Sequence, residues 1–153
     1  MKKINFGYLI VLLVLFSSFS TTAFAESKSD KYLGKRVPCI IASNVQDSYI
    51  LDNQTILFRT VFNVVYINRL PDPCPGLKVA DKYSHEVTID RICKFDTIRV
   101  IEPPYGATSS CGLGEFVEFI GPKTIREAIK ILKDEGVLDM LVKENAFNAP
   151  SKE

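Results

Sequence analysis

The sequence predicts an α+β fold: a small antiparallel β-sheet or partly open β-barrel stapled by disulfides, followed by a C-terminal helical segment. Three observations carry this. Short apolar runs with period-two alternation recur from Val37 to Ile120. Four cysteines, Cys39, Cys74, Cys93 and Cys111, lie inside that stretch. From Thr124 the apolar spacing changes to that of a helix.

The N-terminus reads as an export signal over residues 1–25. Lys2 and Lys3 precede an apolar core from Tyr8 to Phe16, and small residues lead to Ala23-Phe24-Ala25 before Glu26. The core is shorter than the roughly 20 residues a spanning helix needs. Cleavage after Ala25 is therefore expected, with export and no stable membrane insertion afterwards. It leaves 128 of 153 residues, a single-domain length. The full chain carries 19 basic and 18 acidic residues; without Lys2 and Lys3 the balance is 17 to 18. The charges are dispersed, which argues against a nucleic-acid footprint.

Residues 26–35 are polar and charged and read as a flexible leader. The disulfide-stapled β domain is expected over 36–121. Val37 to Ala42 is apolar, and Ser48 to Leu51 leads into the turn signal Asp52-Asn53. Thr55 to Thr60 alternates, with Ile56 and Phe58 on one face and Leu57 and Arg59 on the other. Val64 to Leu70 follows a turn near Asn63, completing a β-meander. Pro71-Asp-Pro-Cys-Pro-Gly76 is a rigid corner, because three prolines remove donors and fix φ. Tyr83 to Ile89 and Ile92 to Ile101 are further strands, Pro103-Pro-Tyr-Gly106 a loop, and Leu113 to Ile120 a last strand.

The helical segment spans 122–144. Thr124-Ile-Arg-Glu127 matches the S/T-x-x-E capping box, and Ile125, Ala128, Ile129 and Leu132 form an apolar stripe that should cover a sheet face. Gly136 fits an αL helix end, Val137 to Lys143 a second short helix, and residues 145–153 a tail.

Export would place the cysteines in an oxidising compartment, where an even count fits complete pairing. Four cysteines allow three connectivities, and spacing alone does not select one. Cys74–Cys93 with Cys39–Cys111 is favoured, since the first closes a short loop of about 20 residues. With no C-x-x-C and a single histidine, neither a zinc site nor a redox pair is expected, and no cofactor.

Four motifs also resemble one family. They are Arg36-Val-Pro-Cys39-Ile40; Tyr66-Ile-Asn68-Arg-Leu70-Pro-Asp-Pro-Cys74-Pro-Gly-Leu77; Ile92-Cys93-Lys-Phe-Asp96-Thr-Ile98; and Cys111-Gly-Leu-Gly-Glu-Phe116. Together they resemble an uncharacterised group of small exported bacterial proteins defined by a domain of unknown function. The resemblance implies a periplasmic or secreted protein and no particular activity. One departure stands out: the family pattern has a glycine before the aspartate of the third motif, where this chain has Phe95.

No catalytic set converges in the sequence. His85 could serve as a base near Asp81, Glu86 or Asp90, but it reads as a polar residue on a strand face. Ser109 and Ser110 lack the context of a nucleophile elbow. Asp96 could act with Glu115 or Glu118, but an aspartate at a strand start more commonly caps a turn. Tyr105, on the proline-rich loop, is the candidate contact residue. The expectation is a non-enzymatic binding, inhibitor or accessory module for an envelope protein or small ligand. The alternative is a periplasmic hydrolase using Asp96 and His85.

Overall fold

A computed structural model describes residues 31–86, 89–139 and 141. The expected signal peptide, leader residues 26–30 and the tail lie outside these. Among the described residues, ten strands form three open antiparallel sheets, and none closes into a barrel. The largest has the order β1 (Leu33–Val37), β10 (Phe116–Phe119), β5 (Val65–Arg69), β4 (Thr55–Thr60), β3 (Val45–Ile50). A small ladder joins β2 (Cys39–Ile41) to β7 (Arg91–Cys93), and a third sheet orders β6 (Tyr83–His85), β8 (Thr97–Glu102), β9 (Gly106–Gly112).

The alternation on β4 places the large sheet at the centre of the molecule. Ile56 and Phe58 point to one side, where they meet Phe116, Ile40 and Ile92 from the small ladder, and Ile98 and Val100 from β8. Phe58 and Phe116 pack edge to face at 5.4 Å. Leu57 points to the other side and joins Val65, Ile67, Val117 and Phe119 beneath a helix. β4 is therefore buried on both faces, and only Arg59 keeps partial exposure, paired with Asp47.

A one-turn helix, α1 (Leu77–Ala80), follows the proline corner and buries Leu77. The second helix, α2 (Ile125–Glu135), covers the outer face of the large sheet with Ala128 and Leu132, as its stripe predicted. Thr124 accepts from the Glu127 amide at 3.2 Å, and the Glu127 carboxylate accepts from Lys123 N–H at 2.9 Å. That is a capping box displaced by one residue. Gly136 ends α2 at φ 63°. Val137 and Leu141, in the start of the expected second short helix, are buried on the same side.

The structure corrects several expectations. Order begins before residue 36: β1 takes in Leu33, Gly34 and Lys35, and Leu33 pairs with Phe119. The run from Ile92 to Ile101 is two strands, because a turn at Lys94 and Phe95 separates β7 from β8. β9 has no counterpart among the expected strands. Its sequence, Gly-Ala-Thr-Ser-Ser-Cys-Gly, has no large apolar residue, and its pairing with β8 makes it a strand.

The favoured cysteine pairing is also corrected. The bridges are Cys39–Cys93 and Cys74–Cys111, with no free cysteine among the described residues. Topology outweighs loop length here. Antiparallel β2 and β7 set Cys39 directly opposite Cys93, so neither can reach the other pair. Cys74 is held in its corner by its backbone N–H, which donates to Asn53 O at 2.6 Å, and faces β9 with 5.8 Å between its Cα and that of Cys111.

The turn between β7 and β8 places Phe95 where the backbone favours glycine. Asp96 accepts from Cys93 N–H at 2.7 Å, capping the turn as expected. Phe95 sits at φ 73°, the left-handed region that favours glycine, with its ring 73% exposed. The glycine-type turn is thus kept despite the side chain. Phe95→Gly should raise stability by about 1 kcal/mol, read as a higher urea midpoint; a lower midpoint would show that the exposed ring contributes to the fold.

Candidate functional site

Two of the three sheets end in facing edge strands. β3 is the outer strand of the large sheet, and β6 is the outer strand of the three-stranded one. Between them lies a groove of about 290 Å³, lined by Ser48, Tyr49 and Ile50 on one side and Asp81, Lys82, Tyr83 and His85 on the other. It holds the only histidine of the chain.

Local structure positions each side chain. The Asp52-Asn53 turn returns β3 against β4, with Leu51 N–H donating to Thr55 O at 2.9 Å. Asp81 ends α1 in the left-handed region at φ 49°, and the chain turns there into β6. Lys78 ties the two walls together. Its ammonium donates to Ile50 O at 2.7 Å and lies 4.9 Å from the Tyr49 ring centroid. Tyr83 packs against the inner core and shares the groove lining with Ser48. Burial pushes the Tyr83 phenol above its ordinary value, against the opposing bond from Ser48. The His85 ring leans on Tyr83, with centroids 6.1 Å apart.

A raised phenol pKa binds its proton more tightly in the native state than in the unfolded chain. The stabilisation is therefore complete below the unfolded value near 10.0 and is lost as pH rises through the folded value. Alkaline unfolding should accordingly begin above about pH 10 and be shallower in Tyr83→Phe. Superimposable alkaline transitions for the two proteins would contradict a buried, neutral Tyr83.

Of the acids near His85 in sequence, Asp81 shares the groove and the others are engaged elsewhere. Glu86 faces Arg99 at 3.7 Å. Asp90 accepts from the Ser43 hydroxyl at 2.6 Å and the Ser43 amide at 2.8 Å. Asp96 caps its turn, and Glu115 lies between Lys94 (3.1 Å) and Arg36 (3.8 Å). Glu118 lies near Tyr66, whose phenol is raised first by burial and then by that carboxylate. Among the described residues, no hydrogen bond or ion pair joins His85 to an acid or a serine. Ser109 and Ser110 lie on β9, opposite Val100 and Arg99. Tyr105 stands at the tip of the β8–β9 hairpin, after the cis Pro103–Pro104 bond, and is 81% exposed. No cluster of three or more metal-binding side chains occurs among the described residues.

Sequence reasoning paired His85 with Asp81 but did not bring Ser48, Tyr49, Ile50, Lys82 or Tyr83 to them. A three-residue strand and a turn with a left-handed aspartate leave little trace in sequence. It also missed Asn68. This fully buried amide donates to Gly114 O at 2.8 Å and accepts from Gly114 N–H at 3.0 Å.

No family model, curated protein or solved structure matches the chain. The two disulfides are consistent with an oxidising, extracytoplasmic setting. No helix among the described residues is long and apolar enough to cross a membrane.

Proposed function

We propose that this chain is a small exported bacterial envelope protein, periplasmic or secreted, that binds or stabilises another molecule without catalysing a reaction. The observation that carries the reading is the groove between β3 and β6. It gathers two tyrosines, a histidine, a lysine and an aspartate, yet supplies no linked acid, base and nucleophile. Its mixed apolar and polar lining suits recognition. The signal-like N-terminus, the two cystines and the resemblance to an exported family of unknown function support the address. The occupied states of Asp96, Glu86 and Asp90 speak against the hydrolase alternative.

The test is a crosslinking pull-down from the envelope with mature, oxidised protein. Specific capture of a partner is expected; recovery of none would sink the proposal. Tyr105 offers a second contact at the hairpin tip. Tyr105→Ala should weaken capture while leaving the melting temperature within about 1 °C, because an exposed side chain contributes little to the core. A large fall in melting temperature would make Tyr105 a packing residue.

A further inference from the structure

We infer that the groove between β3 and β6 receives an extended, uncharged segment of a partner polypeptide, which adds as a strand between the two sheet edges. The inference rests on the binding-module reading and supplies its site and ligand class.

Hydrogen-bond alternation along each edge carries the argument. In β3, Leu51 N–H turns toward β4, so Tyr49 does too, and Ser48 and Ile50 present their backbone groups outward. The Lys78 ammonium on Ile50 O agrees, since that carbonyl points away from β4. In β6, Lys82 O accepts from Ile101 N–H at 3.0 Å, so Lys82 and Ser84 face β8. Tyr83 and His85 then present their N–H and C=O groups away from β8. Both sets border the same groove, and among the described residues no backbone bond joins them across it.

Strand addition of this kind takes affinity from main-chain bonds and specificity from alternate side chains. Tyr49 and the His85 ring would meet those side chains. Asp81 and Lys82 carry opposite charges in the same lining, which favours an uncharged segment. The β1 edge is less suited, since it carries Lys35 and Arg36 and an irregular register.

The experiment is amide hydrogen exchange on the oxidised full domain with a blocked pentapeptide, acetyl-Val-Thr-Val-Thr-Val-amide, at millimolar concentration. Slowed exchange at Ser48, Ile50, Tyr83 and His85 is expected, with little change at Tyr49 and Ser84, already in ladders. Ser48→Pro removes an outward donor without breaking a ladder bond; it should weaken peptide binding about tenfold, while Ser48→Ala stays within about twofold. Unchanged exchange at those four amides overturns the inference. Protection at Gly106–Gly112 instead also overturns it but leaves the binding-module reading standing, which only an empty pull-down removes.

Discussion

Gly114→Ala should cost about 3–5 kcal/mol, among the largest effects any single methyl could produce in this domain. Gly114 is buried between β9 and β10, and a Cβ there would overlap the Arg69 carbonyl oxygen and lie 2.9 Å from its carbon. That neighbour is backbone in β5, which pairs with β10 on one side and β4 on the other, so it cannot swing aside. The Asn68 side chain also grips Gly114 through both its N–H and its C=O, and any shift breaks both bonds. Asn68→Ala should be milder, at about 2–3 kcal/mol, because it leaves two buried backbone groups unsatisfied without a clash. Urea unfolding followed by far-UV circular dichroism checks both. A Gly114→Ala midpoint equal to that of the parent would mean that β5 and the 112–115 segment do not approach as described.

The second large effect concerns the cystines. Cys74–Cys111 and Cys39–Cys93 span 37 and 54 residues, for which the chain-entropy model gives about 4 kcal/mol each. Burial separates them. Cys74 is wholly buried and packs in the inner cluster with Leu70 and Leu77, whereas Cys39 and Cys93 are half-buried on a three-residue ladder. Replacing Cys74 and Cys111 by alanine should therefore cost more than replacing Cys39 and Cys93, since it also opens a cavity. Under graded dithiothreitol, the half-buried Cys39–Cys93 should open first. Equal losses, or earlier opening of Cys74–Cys111, would contradict this order. These two pairs tie different parts together: one joins β2 to β7, and the other fastens the proline corner to β9.

Much of this architecture was legible in local sequence. Thr124, Glu127 and Gly136 announce α2 because capping chemistry is local, and the alternation of Ile56, Leu57 and Phe58 anticipates a strand with two distinct faces. Asp96 caps its turn through bonds spanning three residues, so its role was readable too. What was not legible depends on tertiary partners. β9 is a strand because β8 pairs with it, although its own residues carry no strand signal. Cystine pairing follows from which strands become neighbours, and loop length proved a poor guide to that. The groove brings Ser48 to Tyr83 across 35 positions of sequence, and no periodicity reports an encounter between two sheets. Gly114 shows the same limit: the reason for a glycine there lies on β5, at the Arg69 carbonyl.

The most direct test of a domain held by two cystines around an open groove is a non-reducing peptide mass map of the protein expressed from its full-length sequence. The account predicts cleavage after Ala25, peptides linked through Cys39–Cys93 and through Cys74–Cys111, and no free thiol. Four free thiols, or peptides linked as Cys74–Cys93 and Cys39–Cys111, would contradict it.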